Sequence, residues 1–459
     1  MVVTTVDPST GTVLHRYPAD GWEQIDAALT SAAAAAQLWS ETPLEERLDL
    51  LRRVGKLLAE RRDEYAALIT SEMGKPVLEA LAEVDKCAWN CTVVAELAPG
   101  WLADHEVLSG AARSWVTYLP LGVVFAVMPW NYPFWQVLRF ASAAIAAGNA
   151  AVLKHAPNVT GSALAVQRLF AGAGAPEGLF GSLVVTEEQV PELTRRIVSD
   201  RRVSAVTLTG SERAGAAVAS AAGAALKKSV LELGGSDPFV VLDDADLEAA
   251  ASAAVRSRFG NAGQSCIAAK RLIVADAVAD DFVRLFVEQV ALLRLGDPAD
   301  PRTTVGPIAR PDLRDALHDQ VHRTVAEGAT LVTGGRKVDA PGYYYEPTVL
   351  DHVTPGMTAF REETFGPVAA VVRARDDEHA VALANGTGFG LGASVWSRSS
   401  RGLAVGGRIR SGALFVNAIV ASDPRLPFGG VGRSGYGREL AAEGTREFTN
   451  IRTVYVGGE

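Results

Sequence analysis

An α/β protein built on parallel sheets is predicted by three features of the sequence. From about Gly122, short β-branched runs alternate with alanine-rich helical stretches, and a second series of this kind follows Asp237. Two further strand-like segments, residues 113–119 and 452–456, belong to neither series. Alternation of strand and helix implies parallel strands with helices on both faces. At 459 residues the chain exceeds what one core organises, so two or three domains are expected.

In chain order, the segment before Gly122 is mostly helical, over about 21–98. Val123-Val-Phe-Ala-Val127 reads as a strand. A helix over 133–147 follows, with Pro133 in its first turn and Gly148 just past its end. Ala151-Val-Leu153 is the next strand and 162–172 the next helix. Ser182-Leu-Val-Val185, a helix near 190–198 and Ala205-Val-Thr-Leu208 continue the series. After Asp237, strands are predicted near Phe239-Val-Val-Leu242, Arg271-Leu-Ile-Val274 and Val368-Ala-Ala-Val-Val372. The two unassigned strands have edges to cover, which predicts a small sheet used in subunit pairing. The sequence carries no internal repeat and no low-complexity tract.

Composition narrows the class. Hydrophobic residues make up 48% and charged residues 21%, as in an ordinary globular enzyme. The net charge of −9, with no basic block interleaved with aromatics, argues against a nucleic-acid partner. Three cysteines give no disulfide framework and fit a reducing compartment. Cys87 and Cys91 read as small core residues on one helix face. The N-terminus shows no secretory signal, and apolar runs such as 141–153 are too short to span a membrane. A cytoplasmic protein is expected.

Two segments carry chemistry. Phe259-Gly-Asn-Ala-Gly-Gln-Ser-Cys266 sets a lone cysteine in small, polar surroundings that suit an exposed loop and a nucleophilic thiolate. Val230-Leu-Glu232-Leu-Gly-Gly-Ser-Asp-Pro238 places a carboxylate in an apolar run, where a raised pKa suits proton transfer near neutral pH. Together they suggest covalent chemistry on a carbonyl carbon. Asn131, in Met128-Pro-Trp-Asn131-Tyr-Pro-Phe-Trp135, can cap the following helix or donate its amide to a developing oxyanion. Tyr132, Trp135 and Arg139 fall on one face of that helix. Arg139 lies roughly 12 Å along the axis from Asn131, a span that a short aldehyde with a distal carboxylate could bridge.

The Gly430-Val-Gly-Arg-Ser-Gly435 motif does not follow the first strand of a βαβ unit and lacks the later acidic residue, so it reads as a turn. Nucleotide-binding groups are expected instead at strand ends. Lys154 closes one strand. Thr209-Gly210-Ser211 closes another and opens a helix whose free N–H groups suit a pyrophosphate. His318-Asp-Gln-Val-His322 lacks the glutamate of a zinc helix and reads as a solvated face, so no metal is expected.

Taken together, Pro129-Trp-Asn131, Lys154, Thr209-Gly-Ser211, Glu232-Leu-Gly-Gly235, Gly263-Gln-Ser-Cys266, Glu362-Glu-Thr-Phe-Gly-Pro367, Asn417 and Pro427-Phe-Gly-Gly430 resemble the NAD(P)-dependent aldehyde dehydrogenase superfamily along nearly the whole chain. Residues 128–139, 231–246 and Gly435-Tyr-Gly-Arg-Glu439 look most like bacterial succinate-semialdehyde dehydrogenases. The resemblance implies a Rossmann-type parallel-sheet cofactor domain over 1–101 and 121–234 and an α/β catalytic domain over 235–433. It also implies a small β oligomerisation arm over 102–120 and 434–459. It casts Cys266 as the nucleophile, Asn131 as oxyanion donor with the Cys266 N–H, Glu232 as the base activating water, and Glu439 as a second carboxylate relaying protons.

For the cofactor, NAD or NADP, the resemblance implies binding by Trp130, Lys154, Gly210, Ser211, Glu363 and Phe365. Position 157, where NAD-preferring members often carry a glutamate, is Pro157, which predicts that NADP is accepted. For the substrate it implies Arg139, Trp135 and Ser422, or its neighbour Asp423. An arginine used by some relatives six residues before the nucleophile is Gly260 here, and a redox-switch cysteine is Ala268. The implied reaction is oxidation of succinate semialdehyde to succinate through a cysteine thioester, by a homodimer or homotetramer. Two alternatives stay open: a broad-range enzyme for other aliphatic or ω-acid aldehydes such as glutarate semialdehyde, and a thioesterase or acyltransferase using the same cysteine.

Overall fold

The computed structural model describes residues 1–458, so the final residue of the predicted 434–459 arm lies outside it. The first α/β series forms a six-stranded sheet. Its order is Gly435–Tyr436, Lys228–Glu232, Val203–Thr209, Val123–Met128, Ala150–His155 and Phe180–Leu183. Neighbours run parallel except Gly435–Tyr436, which is antiparallel to Lys228–Glu232. The strand earliest in the chain, Val123–Met128, therefore sits inside the sheet. The chain winds outward on one side of it and then returns to the other. The order reverses between Val123–Met128 and Val203–Thr209, which opens a crevice at the carboxyl ends of these strands.

Burial explains why these segments read as continuous apolar runs. Every residue of Ala150–His155 is buried, as expected where helices cover both sheet faces. The helix Trp135–Ala146 is buried along its whole length. It packs between the sheet and the helical N-terminal segment, whose helices are Trp22–Glu41, Leu44–Glu60, Arg62–Met73 and Val77–Trp101.

The second series forms a seven-stranded sheet. Its order is Thr330–Thr333, Thr348–Asp351, Val368–Ala374, Ala269–Ala275, Asp237–Val241, Gly392–Trp396 and Ala413–Val416. Only its first pair is antiparallel. The chain passes directly from Lys228–Glu232 in one sheet to Asp237–Val241 in the other. Carboxyl ends of the first sheet thus meet amino ends of the second. Cys266 lies just before Ala269–Ala275, and Glu363 and Phe365 lie just before Val368–Ala374. The seam between the sheets gathers the expected chemistry.

The two unassigned strands pair with each other. Thr449–Val456 runs antiparallel to Arg113–Pro120, with Thr449 opposite Pro120 and Val456 opposite Arg113, and His105–Glu106 completes a three-stranded sheet. The Gly430–Gly435 segment is a 3-10 turn over Gly432–Ser434 followed by the short strand that pairs with Glu232. The N-terminal hairpin, Val2–Val6 with Val13–Pro18, was not anticipated. Its second strand is largely exposed and carries His15 and Arg16, so it shows almost no apolar alternation.

Candidate active site

Three successive residues before the nucleophile adopt left-handed backbone: Asn261 (φ 53°), Ala262 (φ 52°) and Gly263 (φ 71°). A side chain at position 263 would also run into the Gly366 carbonyl, so glycine is required there twice over. The turn is held by its neighbours. The Asn261 N–H donates to Glu79 (2.6 Å), and the Asn261 amide donates to the carbonyls of Asn131 (2.9 Å) and Gln264 (3.1 Å). The Gln264 side chain donates to the Asn261 carbonyl (3.1 Å) and accepts from the Ala309 N–H (2.9 Å).

Cys266 follows this turn and is half-buried, not on an exposed loop as its flanking residues suggested. Burial pushes its thiol up to about 12, and the nearby charges of Lys270 and Arg139 only partly oppose that. Desolvation wins, and the resting sulfur is a thiol. Its N–H gives no hydrogen bond among the described residues.

Asn131 is buried, and its amide donates to the Gln264 carbonyl at 3.0 Å, two residues from the nucleophile. An amide nitrogen carries a second donor. Asn131 does not cap the helix after it, which begins at Trp135 rather than Pro133. Glu83 does that, accepting from the N–H groups of Phe134 (2.9 Å) and Trp135 (3.0 Å) while paired with buried Lys75. The Asn131 side chain is thereby left for the nucleophile loop.

The carboxylates form a buried cluster. Glu439 pairs with Arg139, whose guanidinium also donates to Thr209 (3.3 Å) and stacks 4.8 Å from the Phe428 ring. Burial raises both Glu232 and Glu439, and the Glu439 charge raises Glu232 further. Because Arg139 favours the ionised form of Glu439, Glu232 is the member that keeps the proton. The Glu232 carboxyl lies against Gly429.

A cavity of about 320 Å³ opens beside Cys266, within the range of small-molecule sites. Trp135 and Arg139 line it from one helix face, Tyr132 lines it from the bend before that helix rather than from the shared face its spacing implied, and Ser422 lines it as well. The sequence reading missed Glu79, Glu83 and Lys86, which also line it from the helix Val77–Trp101. Their spacing of four and three residues was the available signal.

On the other side of Cys266 lie the groups expected to hold a dinucleotide. Lys154 lies at the end of the strand Ala150–His155 and is buried, and its ammonium makes no hydrogen bond to protein among the described residues. Burial lowers its ammonium to about 8, with Glu187 opposing. A buried cation left without a partner fits an oxygen-rich ligand. Pro157 opens a 3-10 turn three residues on. Glu363 accepts from the Gly235 N–H (3.1 Å) and pairs with Lys270 at 3.2 Å, and Trp130 meets Phe365 edge-on with ring centroids 5.8 Å apart. The N–H groups expected to be free near Gly210 are fewer than predicted. Gly210 donates to the Glu232 carbonyl (2.9 Å), and the Ser211 hydroxyl caps Ala214 (3.3 Å). The residues present fit a nicotinamide dinucleotide at the topological switch point.

Two buried cations missed by sequence reading join these halves. Lys270 donates to the carbonyls of Ser265 (2.8 Å) and Cys266 (2.7 Å) while paired with Glu363. Arg258 donates to the carbonyls of Thr364 (3.0 Å), Gly366 and Val368 (2.6 Å). Cys87 and Cys91 are fully buried in the core. His318 and His322 lie on a separate helix with ring centroids 4.1 Å apart and planes tilted by 58°, and no cluster of three or more potential metal ligands occurs among the described residues.

The thiol's environment gives a direct test. Alkylation of Cys266 by iodoacetamide in the free protein, followed by peptide mass mapping, should keep accelerating above the ordinary thiol pKa of about 8.5. A rate that levels off at or below about pH 8 would contradict a desolvated thiol.

Comparison with known proteins identifies the family. The sequence profile described as "Aldehyde dehydrogenase family" matches residues 1–454. The chain is 49% identical over 452 residues to Sad, the NAD(P)+ succinate semialdehyde dehydrogenase of Escherichia coli strain K12, covering 98% of this chain and 97% of that protein. It is 47% identical over 459 residues to a probable NADP(+) succinate-semialdehyde dehydrogenase of Synechocystis, covering 99% and 100%. The crystal structure of succinic semialdehyde dehydrogenase from Streptococcus pyogenes in complex with NADP+ superposes with a TM-score of 0.96 at 36% identity, covering 99% and 100%. This chain belongs to the aldehyde dehydrogenase family.

Proposed function

We propose that the protein oxidises succinate semialdehyde to succinate with NAD(P)+. The observation that carries this reading is the cavity itself, whose lining brings together Cys266, the cationic groups of Lys86 and Arg139 and the Ser422 hydroxyl. Full-length relatives named as succinate-semialdehyde dehydrogenases support the same substrate.

Cys266 attacks the aldehyde carbon as its thiol proton passes to water, and the carbonyl oxygen takes up negative charge. The second N–H of Asn131 and the Cys266 N–H receive that charge, and one such donor can be worth about 2.7–4 kcal/mol. NAD(P)+ bound at the crevice supplies the hydride acceptor. Lys154, Glu363, Gly210, Ser211, Trp130 and Phe365 are the residues that would hold it. The resulting thioester on Cys266 is cleaved by water, with Glu232 as the base. Glu232 must first release the proton that burial and Glu439 keep on it, so hydrolysis quickens as pH rises. Glu439, paired with Arg139, offers the adjoining site for that proton.

A second carboxylate three residues after Lys154 would repel a 2′-phosphate, and Pro157 cannot. NADP+ is therefore accepted. We also assign residues 1–101 and 121–234 to cofactor binding, 235–433 to catalysis, and the three-stranded sheet to subunit pairing. Ile451, Tyr455 and Val456 leave apolar surface exposed on the last strand of that sheet. No helix among the described residues is long and apolar enough to cross a membrane. Three free thiols suit a reducing cytoplasm.

Steady-state kinetics on succinate semialdehyde with each nicotinamide tests the proposal. Both should be reduced, with kcat/KM values within about a thousandfold, ~4 kcal/mol, of each other. Absence of reduced cofactor would remove the reading in favour of a thioesterase or acyltransferase. Higher kcat/KM for uncharged aldehydes would favour a broad-range enzyme. Sedimentation velocity should show a dimer or tetramer, and a single monomeric boundary would remove the pairing role of the third sheet.

A further inference from the structure

Arg139 has a guanidinium already paired with Glu439 and bonded to Thr209, so its charge is offset by protein. The helix Val77–Trp101 presents Glu79, Glu83 and Lys86 to the cavity. Both carboxylates are occupied, Glu79 by the Asn261 N–H and Glu83 by Lys75 and the start of the next helix. Lys86 is different. Its ammonium donates to the Ser422 hydroxyl at 2.7 Å and lies 4.4 Å over the Trp135 ring, and it forms no ion pair among the described residues. Asp423, whose charge acts on Lys86, is paired with Arg425 at 2.6 Å. Arg256 also reaches the cavity, but it is exposed at the rim and bonded to Ser252 (2.8 Å).

We infer that Lys86, with the Ser422 hydroxyl, is the receptor for the substrate's distal carboxylate and sets selectivity for ω-acid over uncharged aldehydes. The inference rests on the proposed aldehyde oxidation and adds the residue that chooses the substrate. An ammonium has three donors, and Ser422 takes one. A Lys86 charge that is partly desolvated and not cancelled by protein is stabilised by an anionic ligand. The aromatic face of Trp135 holds the side chain in place without neutralising it.

Titration offers a further handle. Burial, then the Arg139 charge, lowers the Lys86 ammonium to about 8. The groups facing it are Glu83 and Cys87 on its own helix, Arg139 on the helix Trp135–Ala146, and Asp423 beside Ser422. Glu79 and Arg256 share the cavity. Selectivity for the charged aldehyde should therefore be full below about pH 8 and fall as pH rises through it.

The test compares kcat/KM for succinate semialdehyde and for butanal in the wild-type enzyme, Lys86→Met and Lys86→Arg. Lys86→Met should lower the ratio of the two at least tenfold. Lys86→Arg should restore it and remove its decline at alkaline pH. Isothermal calorimetry with succinate, which needs no turnover, should show the same loss in Lys86→Met and recovery in Lys86→Arg. A ratio and a succinate affinity unchanged in Lys86→Met would overturn the assignment. If the wild-type enzyme oxidised neither aldehyde yet bound succinate through Lys86, the oxidation reading would fall and the anion site would stand.

Discussion

The left-handed turn at Asn261, Ala262 and Gly263 is the constraint on which the site depends. For the two non-glycine residues such backbone costs about 1–2 kcal/mol each. The turn persists because its polar groups have partners drawn from three other segments: Glu79, Asn131 and Ala309. Leaving one buried partner unsatisfied costs about 1–3 kcal/mol, so several such bonds together outweigh the strain. The same bonds that hold the turn also fix Asn131 beside Cys266. Nucleophile and oxyanion donor are thus positioned by one set of contacts.

Buried cations brace the loops of the second sheet that approach the seam. Arg258, Lys270 and Arg271 are all buried, and each points its donors at backbone carbonyls. Loops that approach a ligand end in carbonyls that no strand pairs, and long side chains with several donors can satisfy them from beneath. Lys270 touches both the nucleophile loop and Glu363, so the two binding halves share a support. Of the acidic groups, Glu79 and Glu83 line the cavity, while burial keeps Glu232 protonated until the reaction needs a base.

Much of this was legible in the sequence for a definite reason. Parallel strands buried on both faces leave apolar runs, so Val123–Met128, Ala150–His155 and Val203–Thr209 could be recognised without a structure. Cys266, Glu232 and Asn131 stood out because polar groups in small or apolar settings are unusual. The N-terminal hairpin did not, since its exposed second strand lacks alternation. Lys86, Glu83 and Lys270 were also missed. Their burial arises from packing between segments far apart in the chain, and sequence shows them only as ordinary charged residues. The engagement of Arg139 by Glu439 is of the same kind, because the two partners lie three hundred residues apart in the chain (139 and 439) and meet only in the folded protein.

The central chemical claim is that the acyl group passes through the sulfur of Cys266 while Glu232 governs its release. Rapid acid quench of Glu232→Gln after mixing with succinate semialdehyde and NADP+, followed by peptide mass spectrometry, tests this directly. The account predicts that the peptide containing Cys266 gains one succinyl group while turnover stalls after reduced cofactor first forms. Steady production of reduced cofactor with that peptide unmodified would contradict it.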